Sequence, residues 1–152
     1  MSTELLVEIR NHIACVTLSR PQALNSLSYG MVIELTQLLH KWENDDSIHA
    51  VLVRGAGEKA FCAGGDIRYI YDSFKADKTE HLQFFCDEYQ LDHYIHRYPK
   101  PYIALMDGIV MGGGMGISQG AQFRIVTDRT RMAMPETAIG LFPDVGASYF
   151  LS

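Results

Sequence analysis

The feature that most constrains the fold is a pair of glycine clusters, each placed where an apolar strand is followed by a helix. The first cluster contains Gly65 and follows the apolar run 51–53, and the second contains Gly113 and follows the apolar run 102–106. Gly65 and Gly113 lie 48 positions apart (113 minus 65). Repeats with such a period are typical of stacked supersecondary units that share a continuous core. The sequence therefore predicts an α/β fold, a spiral of strand–strand–helix (ββα) turns.

A third and weaker repeat follows the second glycine cluster. It consists of residues 123–127, then 133–141, and then an apolar stretch over 145–151. The last residues of the chain are expected to lie within a continuing helix. The third repeat extends the predicted spiral to the end of the sequence.

Hydrophobic periodicity predicts the elements around the repeats. Residues 5–10 and 13–18 form two short apolar runs that are typical of a hairpin. Apolar residues at helical spacing predict one helix from about 28 to 43 and another over 81–97. The polar segment 72–80 is expected to be mobile.

The composition is that of an ordinary globular domain. The chain has 152 residues, 47% of them hydrophobic and 20% charged, so residues 1–152 are predicted to form one domain with a sizeable core. A formal net charge of -5 disfavours nucleic acid, because duplex binding needs a concentrated basic face. The most apolar window, 102–117, contains Asp107 and many glycines and is too short for a membrane helix. Neither nucleic acid nor a membrane is an expected partner.

Cysteine and histidine usage predicts no disulfide framework and no metal site. Cys15, Cys62 and Cys86 are odd in number, widely separated and without a Cys-x-x-Cys spacing. The 6 histidines show no recurring ligand geometry. The first residues show no targeting pattern. A cytoplasmic location is therefore expected.

The glycine clusters also indicate chemistry. The first amides of a helix lack intrahelical partners and lie at the positive end of its macrodipole. Two helix starts that meet at one point would stabilise negative charge on a carbonyl oxygen, which is the task of an oxyanion hole. The run 112–114 alone is more typical of a turn or of tight packing, but the pairing with Gly65 favours an oxyanion hole. Asp66 is predicted to cap the helix after the first cluster.

Four motifs, in order along the chain, give it a family resemblance. They are Arg20-Pro-Gln-Ala-Leu-Asn25, Lys59-Ala-Phe-Cys-Ala-Gly-Gly-Asp-Ile-Arg68, Met111-Gly-Gly-Gly-Met-Gly116 and Met134-Pro-Glu-Thr-Ala-Ile-Gly-Leu-Phe-Pro-Asp144. The chain resembles the crotonase (enoyl-CoA hydratase/isomerase) superfamily, and within it the thioester hydrolases. The resemblance implies a crotonase-like spiral. Members of the superfamily are longer, so the chain is expected to lack the C-terminal helical part, which covers the acyl pocket and builds the contacts of a homo-oligomer.

The resemblance also implies the catalytic residues. The amides of Gly65 and Gly113 would form the oxyanion hole, and Glu136 and Asp144 would lie near the thioester. Without the resemblance, Glu136 is more typical of an acid in a first helical turn, and Asp144 could equally be an N-cap or serve both roles. Carboxylates that share a closed pocket are expected to raise at least one pKa.

An acyl-CoA is the implied partner, with CoA as part of the substrate and no separate cofactor. The implied substrate-binding residues are Gly65, Gly113, Glu88, Ala23, Leu24 and Asn25. The loop of Ala23 to Asn25 would lie against the adenine end of CoA, and Glu88 would contact the substrate. Without the resemblance, a charged residue on a long helix such as Glu88 is typical of a solvated face.

The acids that are present favour hydrolysis. Enoyl-CoA hydratases are expected to use two glutamates, but Gly116 stands at the first of these positions and only Glu136 remains. The implied reaction is hydrolysis of 3-hydroxyisobutyryl-CoA, or a close 3-hydroxyacyl relative, in valine breakdown. Alternatives are hydratase or isomerase activity, and a non-catalytic CoA-binding module. A dinucleotide-binding reading fails, because its third glycine is replaced by Ile117 or Gln119.

Overall fold

The fold repeats a strand–strand–helix unit after an amino-terminal hairpin and helix. The structure, a computed structural model, describes residues 4–76 and 78–152. In chain order its elements are β1 (Leu5–Arg10), β2 (Ile13–Leu18), α1 (Tyr29–Glu43), β3 (Ala50–Gly55), β4 (Ala60–Cys62), α2 (Ile67–Lys75), α3 (Glu80–His96), β5 (Tyr102–Met106), β6 (Ile109–Met111), α4 (Gly113–Gln119), β7 (Phe123–Val126), β8 (Arg131–Ala133) and α5 (Ala147–Phe150). Short 3-10 helices cover Pro21–Ala23 and Glu136–Ile139.

Two sheets hold successive turns of the spiral side by side. The larger has the strand order β1-β2-β3-β5-β7, and the smaller has the order β4-β6-β8. β1 and β2 form the predicted antiparallel hairpin, and every other pairing is parallel. Equivalent strands of successive turns are therefore neighbours, and the loops after β4, β6 and β8 meet at one sheet edge. The predicted α/β spiral is confirmed.

Local sequence explains why α1 packs where it does. The Ser28 hydroxyl accepts a hydrogen bond from the Met31 amide at 3.2 Å, which caps the helix. The buried residues Met31, Leu35, Leu39 and Trp42 recur at helical spacing and face the core. The buried side chains of this face belong to one hydrophobic cluster with strands β2, β3 and β5.

Two expectations about the helices are wrong. The segment 72–80, expected to be mobile, is helical over most of its described length, because α2 continues to Lys75 and α3 begins at Glu80. Within it the polar Ser73 is buried and the apolar Phe74 is exposed, so polar composition did not predict which residues pack. The helix expected at the end of the chain is only the short α5, which ends at Phe150.

Some expectations fall outside the described residues or concern the whole chain. Residues 1–3, where a targeting pattern was sought, and Asp77 in the polar segment are not among the described residues. Across residues 4–76 and 78–152, no helix has the length and apolar character required to cross a membrane. The prediction of a single domain over 1–152 stays a prediction.

Candidate functional site

Five of the predicted site residues surround one cavity. Gly65, Gly113, Glu88, Glu136 and Asp144 all line a space of about 200 Å³ at the sheet edge where the loops meet. The first turn of the spiral supplies Gly65 and Glu88, the second supplies Gly113, and the third supplies Glu136 and Asp144. The apolar part of the wall includes Ile67, Ile70, Phe84, Phe85, Ile139 and Leu141. The parallel pairing of the turns thus gathers residues that are distant in sequence.

Gly65 and Gly113 face each other across the cavity wall. A Cβ added to Gly113 would lie 3.2 Å from the amide nitrogen of Gly65 and would overlap Oε1 of Glu88. A Cβ on Gly65 would lie 3.1 Å from the ring of Phe84. Neither amide donates a hydrogen bond within the described part of the chain. A side chain at Gly113 would therefore crowd both the Gly65 amide and the Glu88 carboxyl group.

One detail of the predicted geometry is wrong. Gly113 is the first residue of α4, as expected, but Gly65 precedes α2, and Asp66 is the N-cap of that helix. The Asp66 side chain accepts a hydrogen bond from the Tyr69 amide at 3.2 Å, so the predicted cap is confirmed. The helix-dipole argument therefore applies to Gly113 alone, whereas the Gly65 amide belongs to an extended segment bridged to Leu27.

Glu88 on α3 is a buried carboxyl group. Glu88 is only 2% exposed, and its Oε1 has no hydrogen-bond partner among the described residues. Burial raises the pKa of Glu88 to about 8, and the negative charge of Asp144 contributes further. The alternative that Glu88 lies on a solvated helix face is wrong. The structure places Glu88 at the cavity, and its contact with substrate stays a prediction.

Glu136 begins the 3-10 helix that follows Pro135. The residue is 8% exposed, and its Oε2 has no hydrogen-bond partner within the described residues. Burial raises the pKa of Glu136 above its ordinary value, and the charge of Asp144 acts in the same direction. The expected raised pKa among clustered carboxylates is thus found at Glu136 and Glu88.

Asp144 lies in the loop before α5 and is half-buried. The hydroxyl of Tyr89 donates a hydrogen bond to its Oδ2 at 2.5 Å. The alternative that Asp144 caps α5 is wrong: Gly146 is the N-cap, and no side chain caps this helix. Asp144 contributes only its backbone carbonyl there, which accepts from the Ala147 amide at 2.7 Å.

The loop of Ala23, Leu24 and Asn25 lies outside this cavity. Leu24 and Asn25 line a separate cavity of about 240 Å³, which Gly57 and Lys59 also line. Both Leu24 and Asn25 have positive φ angles, 51° and 56°, so the chain turns sharply there.

The buried side chain of Asn25 stabilises this loop through hydrogen bonds. It is 0% exposed, its Nδ2 donates to the carbonyls of Ala56 and Ala60 at 2.9 and 2.7 Å, and its Oδ1 accepts from the Arg20 amide at 3.0 Å. The Arg20 guanidinium in turn pairs with Asp66 at 2.8 Å. Both amide hydrogens of Asn25 are used within the protein, so its side chain shapes the loop.

Two residues near the site were missed by the sequence reasoning. Tyr89 follows Glu88 directly, and Asp92 lies one helical turn beyond Glu88 on α3. Both oxygens of Asp92 are covered and unpartnered within the described residues, and burial raises the pKa of Asp92 well above its ordinary value. A Cβ on Gly116 would lie 2.5 Å from Oδ2 of Asp92. The signal for Asp92 was the spacing of two acids on one helix face.

The described wall of the smaller cavity is acidic. No lysine, arginine or histidine is among the described residues that line the smaller cavity. The described part of the chain contains no group of three or more His, Cys, Asp or Glu side chains that could hold a metal ion. The pKa values of Glu88, Asp92 and Glu136 are raised chiefly because burial penalises the charged carboxylate, and the charge of Asp144 adds to this effect.

The fold and this site define a class of proteins. The sequence model of the enoyl-CoA hydratase/isomerase family matches residues 13–152. The chain therefore belongs to this family, the crotonases, as its motifs predicted.

Its relatives are more specific in name. The chain is 47% identical over 150 residues to a protein of Gallus gallus named 3-hydroxyisobutyryl-CoA hydrolase, mitochondrial, and the match covers 99% of this chain. A protein of Danio rerio with the same name is 50% identical over 149 residues, or 98% of this chain. The chain spans 39% of the length of both relatives.

Solved structures confirm the crotonase fold. A carnitinyl-CoA dehydratase from Mycobacterium thermoresistibile is 53% identical, with a TM-score of 0.95 over 97% of this chain and 44% of its own. An enoyl-CoA hydratase from Rhodobacter sphaeroides 2.4.1 is 39% identical, with a TM-score of 0.92 over 96% of this chain and 44% of its own.

The expected cytoplasmic location is wrong. The relatives from Gallus gallus, Danio rerio and Homo sapiens are all named as mitochondrial proteins. Unpaired cysteines argue against an oxidising compartment, but they do not distinguish one reducing compartment from another.

Proposed function

We propose that this chain carries the acyl-binding and catalytic core of a CoA thioester hydrolase. Its proposed substrate is 3-hydroxyisobutyryl-CoA, or a close 3-hydroxyacyl-CoA, in mitochondrial valine breakdown. The observation that supports this most is the meeting of two open glycine amides with Glu88, Glu136 and Asp144 at one small cavity. The names of the relatives support the substrate. Because the chain spans 39% of their length, the proposal concerns the activity of the whole protein.

The thioester carbonyl is proposed to lie between the amides of Gly65 and Gly113. Hydrolysis places a negative charge on this oxygen in the tetrahedral intermediate. Preorganised donors that meet this charge contribute about 3 kcal/mol each to transition-state stabilisation. The unpaired state of both amides in the described structure fits this role.

Glu136 is the proposed catalytic carboxylate. In one route it takes a proton from a water molecule, whose oxygen adds to the thioester carbon, and it then returns the proton to the departing thiolate. In the other route its own oxygen adds to the carbon, thiolate leaves, and water hydrolyses the mixed anhydride. The raised pKa of Glu136 brings its basicity closer to neutral pH, which suits the proton transfer of the first route.

The two other acids have proposed roles in binding. Asp144 orients the hydroxyl group of the substrate or the attacking water. Glu88 is protonated below a pH of about 8, so near neutral pH its carboxyl group donates a hydrogen bond to the substrate. The loop of Ala23, Leu24 and Asn25 contacts the adenine end of CoA, with Asn25 holding the loop in shape. Self-association and the absence of a cofactor remain predictions.

Hydration or dehydration of an acyl-CoA is a second candidate function. Two solved structures with TM-scores of 0.95 and 0.92 carry the names of a dehydratase and a hydratase. Gly116 supplies no carboxylate for this chemistry, but the buried carboxyl group of Asp92 packs directly against Gly116. The two reactions are separable by their products.

The test is thiol release from 3-hydroxyisobutyryl-CoA by the purified whole protein, with hydration of crotonyl-CoA measured in parallel. Glu136→Gln is expected to lower the rate of thiol release at least 100-fold, in line with the loss of a general base. CoA binding, measured by calorimetry, should stay within threefold, since Leu24 and Asn25 of the adenine loop line a separate cavity that Glu136 does not line. The matched control is Glu80→Gln, which alters an exposed carboxylate paired with Lys78.

The outcomes separate the candidates. Thiol release by the parent and not by Glu136→Gln supports the hydrolase. Hydration without thiol release supports the second candidate and refutes the first. CoA binding without either reaction favours a CoA-binding module, and failure to bind CoA contradicts the whole assignment.

A further inference from the structure

The loop that carries Asp144 has little regular structure of its own. It lies between the 3-10 helix Glu136–Ile139 and α5, and the φ angles of Gly140, Val145 and Gly146 are 78°, 41° and 81°. Within this loop the Asp144 side chain has one hydrogen-bond partner among the described residues, the hydroxyl of Tyr89 on α3. The contact joins positions 55 residues apart. The hydrogen bond from Tyr89 therefore connects a carboxylate of the proposed catalytic site to the long helix α3.

Asp144 lies between two cavities, so its hydrogen bond from Tyr89 can determine which way its carboxylate points. Asp144 lines both the cavity of about 200 Å³ and a neighbouring cavity of about 590 Å³, and Tyr89 lines only the larger one. A carboxylate on the wall between two cavities can turn toward either of them. The hydrogen bond from Tyr89 occupies Oδ2, while Oδ1 has no hydrogen bond in the described structure. The contact thus leaves one defined oxygen free.

The surroundings favour a neutral donor for this task. The acids Glu88, Asp92 and Glu136 all interact with the charge of Asp144, and within the described residues Asp144 forms no salt bridge. The basic residues His93, His96 and Arg97, at and directly after the end of α3, line the larger cavity and not the smaller one. Burial and the hydrogen bond to Asp144 raise the pKa of Tyr89. Its hydroxyl therefore stays a donor throughout the neutral range.

We propose that Tyr89 is a positioning residue that sets substrate specificity through Asp144. By holding Oδ2, it leaves Oδ1 to accept a hydrogen bond from the hydroxyl group of a 3-hydroxyacyl thioester. This inference rests on the proposed function, and it adds a residue and a reason for selecting hydroxylated acyl groups. An acyl group of the same shape without a hydroxyl group cannot donate this hydrogen bond to Oδ1.

The test compares Tyr89→Phe with the parent on 3-hydroxyisobutyryl-CoA and isobutyryl-CoA, which share a carbon skeleton but differ in the hydroxyl group. Tyr89→Phe is expected to lower kcat/KM about tenfold for the hydroxylated substrate, the usual effect of one hydrogen bond to a charged group. The value for isobutyryl-CoA should change less than twofold. Tyr94→Phe is the matched control, since Tyr94 on the same helix donates to Glu43 at 2.5 Å, away from the cavity.

A double variant checks that Tyr89 acts through Asp144. Adding Tyr89→Phe to Asp144→Ala should cause no further loss on the hydroxylated substrate, because alanine offers the Tyr89 hydroxyl no acceptor. Additive losses would overturn the proposal. Equal losses on both substrates would show a structural role, and no loss on either would show that the hydrogen bond does not matter for selection.

Binding separates this inference from the proposed reaction. Dissociation constants of both thioesters are measured on Glu136→Gln protein with and without Tyr89→Phe. The Tyr89→Phe change should weaken binding of the hydroxylated thioester about tenfold and leave the other within twofold. If the parent chain hydrolyses neither substrate, the proposed function fails, while this binding comparison still supports or refutes the role of Tyr89.

Discussion

Replacing Glu88 by glutamine should make the protein more stable, and increasingly so as the pH rises. The pKa of Glu88 is raised from 4.5 to about 8 in the folded state, because burial penalises the charged carboxylate. Below pH 4.5 both the folded and unfolded states are protonated. Between pH 4.5 and about 8 only the unfolded chain releases this proton, so the free energy of unfolding falls as the pH rises.

The magnitude follows from the separation of the two pKa values. Each pH unit between them costs about 1.4 kcal/mol, so the loss reaches about 3 kcal/mol at pH 7 and about 5 kcal/mol above pH 8. This figure is an upper limit, since a charged Glu88 would draw water into the cavity. Glutamine has no such titration. The stability advantage of Glu88→Gln over the parent should therefore grow from pH 5 to pH 8 and then level off.

The assay is urea denaturation at pH 5, 6, 7, 8 and 9, followed by the fluorescence of Trp42, which is buried at 2% exposure. Glu80→Gln, at the exposed start of α3, is the control and should track the parent at every pH. The reasoning would be refuted if the difference between Glu88→Gln and the parent were the same at pH 5 and pH 8. A difference that shrinks with rising pH would have the wrong sign and would refute it equally.

Further substitutions test the packing of the spiral, each by the shift in the free energy of unfolding. Gly114→Ala should cost at least about 3 kcal/mol, because its Cβ would overlap the backbone carbonyl of Cys62. Gly30→Ala is the matched control and should stabilise by about 0.5–1 kcal/mol, since its Cβ meets only the Ser28 hydroxyl at 3.8 Å. Ser28→Ala should cost about 1 kcal/mol through loss of the cap on Met31, and Ser28→Thr should retain most of it. A stable Gly114→Ala or a neutral Ser28→Ala would contradict these contacts.

The architecture was predictable because its signal is repeated. Gly65 and Gly113 recur with one period, and equal turns can stack only if equivalent strands become neighbours. The apolar spacing of α1 had the same clarity, because one face of this helix is buried and the other is solvated. Periodic patterns of this kind report the side on which an element packs, without further knowledge of its partners.

The site was only partly predictable, because α3 packs against other elements on more than one side. The buried residues of α3 include Phe84, Leu91 and the acid Glu88. A charged residue was therefore not a sign of the solvent-exposed face of this helix. Tyr89 and Asp92 become notable only beside Asp144 and Gly116, which belong to later turns. No local sequence pattern predicts contacts between residues of different turns. The motifs identified Glu136 and Asp144 through their family resemblance, and composition alone would have left both as helix-start acids.

The site is divided between two strand pairings of the smaller sheet. The pairing of β4 with β6 brings the amides of Gly65 and Gly113 together, and the pairing of β6 with β8 positions the turn that carries Glu136. On the proposed function, detachment of this last turn would leave the two glycine amides in place and remove the proposed catalytic carboxylate. Loosening of β8, the outermost strand of that sheet, is therefore expected to stop turnover before it disturbs the amide pair.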